Sequence, residues 1–205
     1  MRVIAGRYRG FGLVFPRNRA CRPTQDRAKE AWFNMIQGTT SGSNVLDLFC
    51  GTGSLGIEAL SRGAEHVVFV DKEISFVKRN IHNLNDHYPD NTIFKKTTLI
   101  KAYAELFLKR FSKQAGAKNK GFDLIFMAPP WADHESYTDS LKAISEFGIL
   151  DRKGIIVCEH SKAFQITVPE GLEVKLSRVY GDTNLTVLQS SSLRGMNNET
   201  SCLSR

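Results

Sequence analysis

Val45-Leu46-Asp47-Leu48-Phe49-Cys50-Gly51-Thr52-Gly53-Ser54-Leu55-Gly56 is the stretch whose reading decides the fold. Its apolar start carries one carboxylate and enters a turn with three glycines, and a helix-forming run from Leu55 to Ser61 follows directly. This is the pattern of a buried strand, a turn in which no Cβ blocks a ligand, and a helix whose free N–H groups point at that ligand. A second apolar run, Val67-Val68-Phe69-Val70, ends in Asp71, 24 residues after Asp47. A carboxylate at the tip of the second strand is where the hydroxyls of a nucleotide ribose are held. The pattern predicts a cofactor that contains adenosine.

Gly51, Gly53 and Gly56 also match the G-x-G-x-x-G spacing of dinucleotide enzymes. Asp47, four residues before the first glycine, would repel a pyrophosphate but suits a cationic amine. Met127-Ala128-Pro129-Pro130-Trp131 closes a later apolar run, and a dinucleotide enzyme has no use for it. S-adenosylmethionine fits both observations best. A nicotinamide oxidoreductase is the distant competitor, and a glycine turn that binds nothing is the bland one.

At 205 residues the chain can build one substantial α/β core and is short for two domains. No run has the 18 or more apolar residues of a membrane span, and no signal-peptide pattern opens the chain. Cys21, Cys50, Cys158 and Cys202 are scattered without C-x-x-C spacing, so neither a metal site nor a disulfide framework is expected. A cytoplasmic protein is the expectation. Charge is lopsided: residues 1–29 carry eight basic side chains against the single acid Asp26, a balance equal to the whole net charge of +7. Seven of the eight are arginines, which suit bidentate phosphate contact. That end is expected to meet a nucleic acid, against the plainer reading of a solvated basic face.

Residues 1–20 read as a small basic hairpin, with Tyr8 and Phe11 placed either to stack bases or to pack against the body. Thr24 is a candidate cap for a helix over residues 27–36. Further strands are expected at 45–48, 67–70, 92–94, 122–127 and 154–160, with a closing hairpin of 174–180 and 183–188 around Gly181-Asp182. Between them the spacing predicts helices over 55–61, 74–85, 99–111 and 137–147, with Tyr103, Leu106 and Phe107 facing inward in the helix over 99–111. Thr98 then falls at the tip of the third strand. Residues 189–205 lack periodicity and read as a disordered tail behind one domain spanning 1–188. The alternation gives an α/β fold with a doubly wound, mostly parallel seven-stranded sheet, antiparallel at one end.

Several blocks, in order from residue 2 to about 188, resemble the RsmD-type methyltransferases. They are Arg2-Val3-Ile4-Ala5-Gly6, Arg22-Pro23-Thr24 with Asp26-Arg27, Glu30-Ala31-Trp32-Phe33-Asn34, Asp47-Leu48-Phe49, residues 56–64 (Gly-Ile-Glu-Ala-Leu-Ser-Arg-Gly-Ala) and Tyr180-Gly181-Asp182-Thr183. The resemblance implies a Rossmann-like class I fold and methylation of the exocyclic N2 of one guanine in small-subunit (16S) ribosomal RNA; a monomer is a separate expectation. It implies that Asp47, Phe49, Gly51 and Gly53 surround the methionine half of S-adenosylmethionine and that Asp71 holds its ribose. Thr98 would lie beside the adenine, and Arg22 and Thr24 in a loop over the site. Arg7, Arg9, Arg22 and Arg27 would meet RNA.

The family's catalytic segment, Asp-Pro-Pro-Tyr, reads Ala128-Pro129-Pro130-Trp131 here. In the family the carboxylate and the proline carbonyl accept the two N–H bonds of a poorly nucleophilic amine and aim its lone pair. Ala128 has no such acceptor, whereas Trp131 can still stack a flipped base. Three readings stay open: transfer helped by the Pro129 carbonyl alone or by a substitute acid, with Asp133 nearest; a shifted target atom; or a factor that binds RNA and cofactor without transfer.

Overall fold

The computed structural model describes residues 1–16, 26–89, 92–114 and 121–191. The apolar runs form the parallel centre of a sheet: β1 (Asn44–Leu48), β2 (His66–Asp71), β3 (Thr97–Lys101), β4 (Phe122–Met127) and β5 (Leu150–Ser161). The antiparallel pair β6 (Leu172–Tyr180) and β7 (Thr183–Ser190) completes it in the order β3-β2-β1-β4-β5-β7-β6. Strands buried on both faces need apolar residues at every position, which is why these runs are nearly continuous. Val45, Phe69, Phe126 and Val157 pack under α1 (Asp26–Met35), α2 (Ser54–Ser61) and α3 (Ser75–His87). Leu46, Val70, Ile125 and Ile156 pack under α5 (Ala104–Gln114) and α6 (His134–Glu146). The fold is the doubly wound class expected. No helix among the described residues is long and apolar enough to cross a membrane.

Two elements differ from the sequence expectation. Thr92–Lys95 is a short helical turn, α4, and the third strand follows it at Thr97–Lys101. Thr-Ile-Phe has strand propensity, but Ile93 is buried as part of this turn, where tertiary packing overrides local preference. The shift delays α5 to Ala104, and rotates its inward stripe onto Ala104, Phe107 and Leu108. Tyr103 and Leu106 are consequently exposed, at 66% and 49%. β7 runs to Ser190, into the stretch expected as a tail from 189, and residues 192–205 lie outside the described residues.

The N-terminal hairpin has one bridge, Arg2 to Gly12, and stands apart from the sheet. It is clasped to α2 by a buried carboxylate. Glu58 accepts the N–H of Ile4 at 2.8 Å and of Ala5 at 3.0 Å, and pairs with Lys29 at 3.3 Å and Arg62 at 2.8 Å. Lys29 also donates to the Arg2 carbonyl at 2.6 Å. Beside it the Ser61 hydroxyl accepts from Tyr8 N and donates to the Ala5 carbonyl. The hairpin touches α2 so closely at Gly6 (φ +82°) that a Cβ there would meet the Ser61 carbonyl. This contact explains why every residue of α2 is buried although Glu58 and Ser61 are polar. Tyr8 is buried and lies 5.0 Å, ring to ring, from Tyr88, so it serves packing rather than base stacking.

Candidate active site

A cavity of about 490 Å³ opens at the C-terminal ends of β1, β2, β4 and β5, where open α/β sheets bind their ligands. Phe49 and Gly51 line it from the glycine turn, Asp71 and Lys72 from the tip of β2, and Ala102 and Tyr103 from the tip of β3. Ala128, Pro129, Pro130 and Trp131 face them from the tip of β4, with Glu159 beside them on β5. Two sequence signals 57 or more positions apart, the Asp71 tip and the Pro-Pro segment, therefore form one site.

Asp71 organises the turn. Its Oδ2 accepts the Gly51 N–H at 2.8 Å and its Oδ1 the Glu73 N–H at 3.0 Å. Each oxygen keeps a second lone pair for a ligand hydroxyl. Gly51 has φ +52° and open space where a Cβ would stand, so any larger residue would fill the ligand's place. Phe49 holds φ +65° without being glycine, a strain of about 1–3 kcal/mol that is tolerated where it positions a functional side chain. These features fit the adenosine and methionine portions of S-adenosylmethionine: a carboxylate at the strand tip, a backbone without a Cβ, and a ring against the cavity.

Other expected cofactor contacts are placed differently. Asp47 sits beneath the turn, 2% exposed, and is not in the cavity wall. It shares the sheet face of Val45, so its Oδ2 accepts the Gly56 N–H at 2.8 Å and anchors the start of α2. Gly53 is also outside the wall; a Cβ there would strike Val77, so its glycine serves helix packing. Thr98 is the second residue of β3, at the end away from the cavity, and its hydroxyl bonds His66 at 2.9 Å. The one-element shift at α4 moved it from the tip. Tyr103 stands at the tip instead, a residue that a correct third strand would have pointed to. Thr24 and Arg22 lie outside the described residues, and Arg27 is in α1 without a described side chain.

Burial, opposed by the Gly56 N–H and reinforced by the charge of Asp71, pushes the Asp47 carboxyl from 3.8 up to about 7. The folded chain thus holds this proton more tightly than the unfolded one. Between about pH 4 and 7 the unfolded state gives it up first, so stability from this group is full below that window and lost as pH rises through it. Asp47→Asn is expected to flatten the decline in unfolding free energy over that range, measured by urea denaturation at stepped pH. An equally steep decline in the variant would contradict the assignment.

At the tip of β4 the segment turns sharply, with Asp133 N–H donating to the Pro130 carbonyl at 2.8 Å. Asp133, expected as a possible substitute acid, caps α6: its carboxylate accepts from Ser136 N at 3.2 Å and Ser136 Oγ at 2.7 Å. The buried Tyr137 hydroxyl donates to the carbonyls of Glu159 at 2.5 Å and Pro129 at 3.3 Å, joining the tips of β4 and β5. Trp131 is half-buried and lines the wall. Arg7 and Arg9 are exposed, next to the C-terminal end of α2, where Arg7 N–H meets the Ser61 carbonyl. An eight-residue helix spans about 12 Å, so these arginines lie that far from the glycine turn.

The sequence profile of a family described as conserved hypothetical protein 95 matches residues 1–189. YlbH of Bacillus subtilis, which carries a provisional rRNA methyltransferase name, is 34% identical over 199 residues, covering 96% of each chain. Ribosomal RNA small subunit methyltransferase D of Haemophilus influenzae is 30% identical over 194 residues, covering 93% of this chain and 94% of its own. Among solved structures, yhhF of Escherichia coli, a provisional methyltransferase, superposes with a TM-score of 0.73 at 25% identity over 93% of this chain and 97% of its own.

Proposed function

The chain belongs to the conserved hypothetical protein 95 family, and from that premise we propose that it is an S-adenosylmethionine-dependent methyltransferase of small-subunit ribosomal RNA, acting on the N2 of a guanine. One observation carries the reading: the Asp71–Gly51 turn and the Pro129-Pro130-Trp131 tip face each other across a single cavity. Asp71 is suited to the ribose hydroxyls, Gly51 and Phe49 to the methionine portion, and Trp131 to the face of a flipped guanine. The cofactor supplies an electrophilic methyl group on a sulfonium sulfur. The chain supplies orientation: Trp131 fixes the base plane, and the Pro129 carbonyl accepts one amine N–H. The protein works as a monomer in the cytoplasm with ribosomal RNA as its partner. Arg7 and Arg9 take phosphates flanking the target rather than the target nucleotide.

Tritiated methyl transfer to small subunits lacking their guanine-N2 methyl group tests this. Incorporation that requires Trp131 supports the reading, and cofactor binding without incorporation leaves a binding factor. Reversing charge at Arg7 and Arg9 together is expected to weaken RNA binding and to reduce its salt slope by about 1–2. An unchanged slope would remove the hairpin from the interface.

A further inference from the structure

Resting on the methyltransferase reading, we infer that Glu159 supplies the carboxylate that position 128 lacks, and that it is the second acceptor for the target amine. Parallel register pairs Met127 with Cys158, so Ala128 and Glu159 are the next residues on adjoining strands at the same level. Met127 and Cys158 face α5 and α6, while Phe126 and Val157 face the opposite side of the sheet. Alternation therefore sends Ala128 and Glu159 to the same side, and both line the cavity. Neighbouring strands are about 4.8 Å apart. A glutamate is one methylene longer than an aspartate, and that reach carries its carboxylate toward the space in front of the Ala128 methyl.

Two further observations favour Glu159. The Tyr137 hydroxyl holds the Glu159 and Pro129 carbonyls together, so the proposed carboxylate and the proline acceptor ride on backbones tied to each other. Asp133, which a sequence reading offers as the nearest substitute, has both oxygens engaged by Ser136 at the start of α6. The absence of a side chain larger than methyl at 128 then has a use: it leaves the room that the longer residue occupies.

Glu159 accepts one N–H of the guanine amine while the Pro129 carbonyl accepts the other, which draws the nitrogen lone pair out of the ring. It takes the proton that the nitrogen sheds once the lone pair has formed its bond to the methyl carbon and the carbon–sulfur pair has returned to sulfur. From Glu159 the proton passes to water.

The test uses the full chain as Glu159→Gln, Glu159→Ala and the double variant Glu159→Ala/Ala128→Asp. Glu159→Gln is expected to slow methyl transfer about 100-fold or more, the lower range for a positioned acid–base group. Affinity for S-adenosylhomocysteine and the melting temperature are expected to stay within twofold and a few degrees of the parent. Adding Ala128→Asp to Glu159→Ala, where the space is open, is expected to restore at least tenfold over Glu159→Ala. A binding measurement needs no turnover: with S-adenosylhomocysteine present, the parent should prefer RNA with guanine at the methylated position over RNA with hypoxanthine, which lacks the amine. Glu159→Ala should lose that preference, about tenfold, as for one hydrogen bond to a charged group. Transfer within threefold of the parent, an unaltered guanine preference, or loss matched by loss of cofactor affinity overturns the role of Glu159 alone. An inactive parent overturns the methyltransferase reading and this inference with it.

Discussion

Glu58→Ala should lower the unfolding free energy by about 3–5 kcal/mol, the range for removing one partner of a buried ion pair. The carboxylate is inaccessible and serves four groups at once: two backbone N–H groups of the hairpin, the equally inaccessible Lys29, and Arg62. Without it the buried Lys29 ammonium loses its 3.3 Å carboxylate partner, and a buried charge deprived of its counter-charge is costly. For a domain of this size each kcal/mol is worth about 2–4 °C, so the melting temperature should fall by about 6–20 °C. Glu58→Gln keeps the shape and one acceptor and should fall between the two. Since typical domains hold only about 5–15 kcal/mol, the hairpin clasp is a large share of the total. Thermal and urea melting of the variants measure it, and a loss under about 1 kcal/mol would mean that the hairpin is an ornament on α2.

The second large effect is on the ligand. Asp71→Ala removes the acceptor of the Gly51 and Glu73 N–H groups and, with it, the proposed partner of the ribose hydroxyls. Two hydrogen bonds to a charged acceptor, at about 1.5–3 kcal/mol each, set the scale, so affinity for S-adenosylhomocysteine should drop at least about 100-fold. Calorimetric titration reads it directly. Affinity within threefold of the parent would show that the cavity holds its ligand by other groups.

Much of this was legible in the residues. The run at 45–48, the glycine turn and Asp71 mark one wall of the cavity in the residues themselves, because a parallel strand and a Gly-rich turn leave strong local signals. The Pro-Pro-Trp segment added its opposite wall. The third strand was not legible: Thr-Ile-Phe at 92–94 and Thr-Leu-Ile at 98–100 offer similar local patterns, and only packing of Ile93 decides between them. That single slip misplaced Thr98 and hid Tyr103. Asp47 and Gly53 belong to the motif but support the turn from below, a distinction that depends on which sheet face a residue takes. The Glu58 clasp was hidden for another reason. A glutamate in Gly-Ile-Glu-Ala-Leu-Ser-Arg reads as a solvated helix position, and its hairpin partners, Ile4 and Ala5, lie more than fifty residues away along the chain.

Digestion of the labelled 16S RNA to nucleosides, after incubation of small subunits with the chain and methyl-labelled S-adenosylmethionine, tests the central claim most directly. The account predicts label in N2-methylguanosine at one position. Label in another nucleoside, or none at all from protein that binds the cofactor, would contradict it.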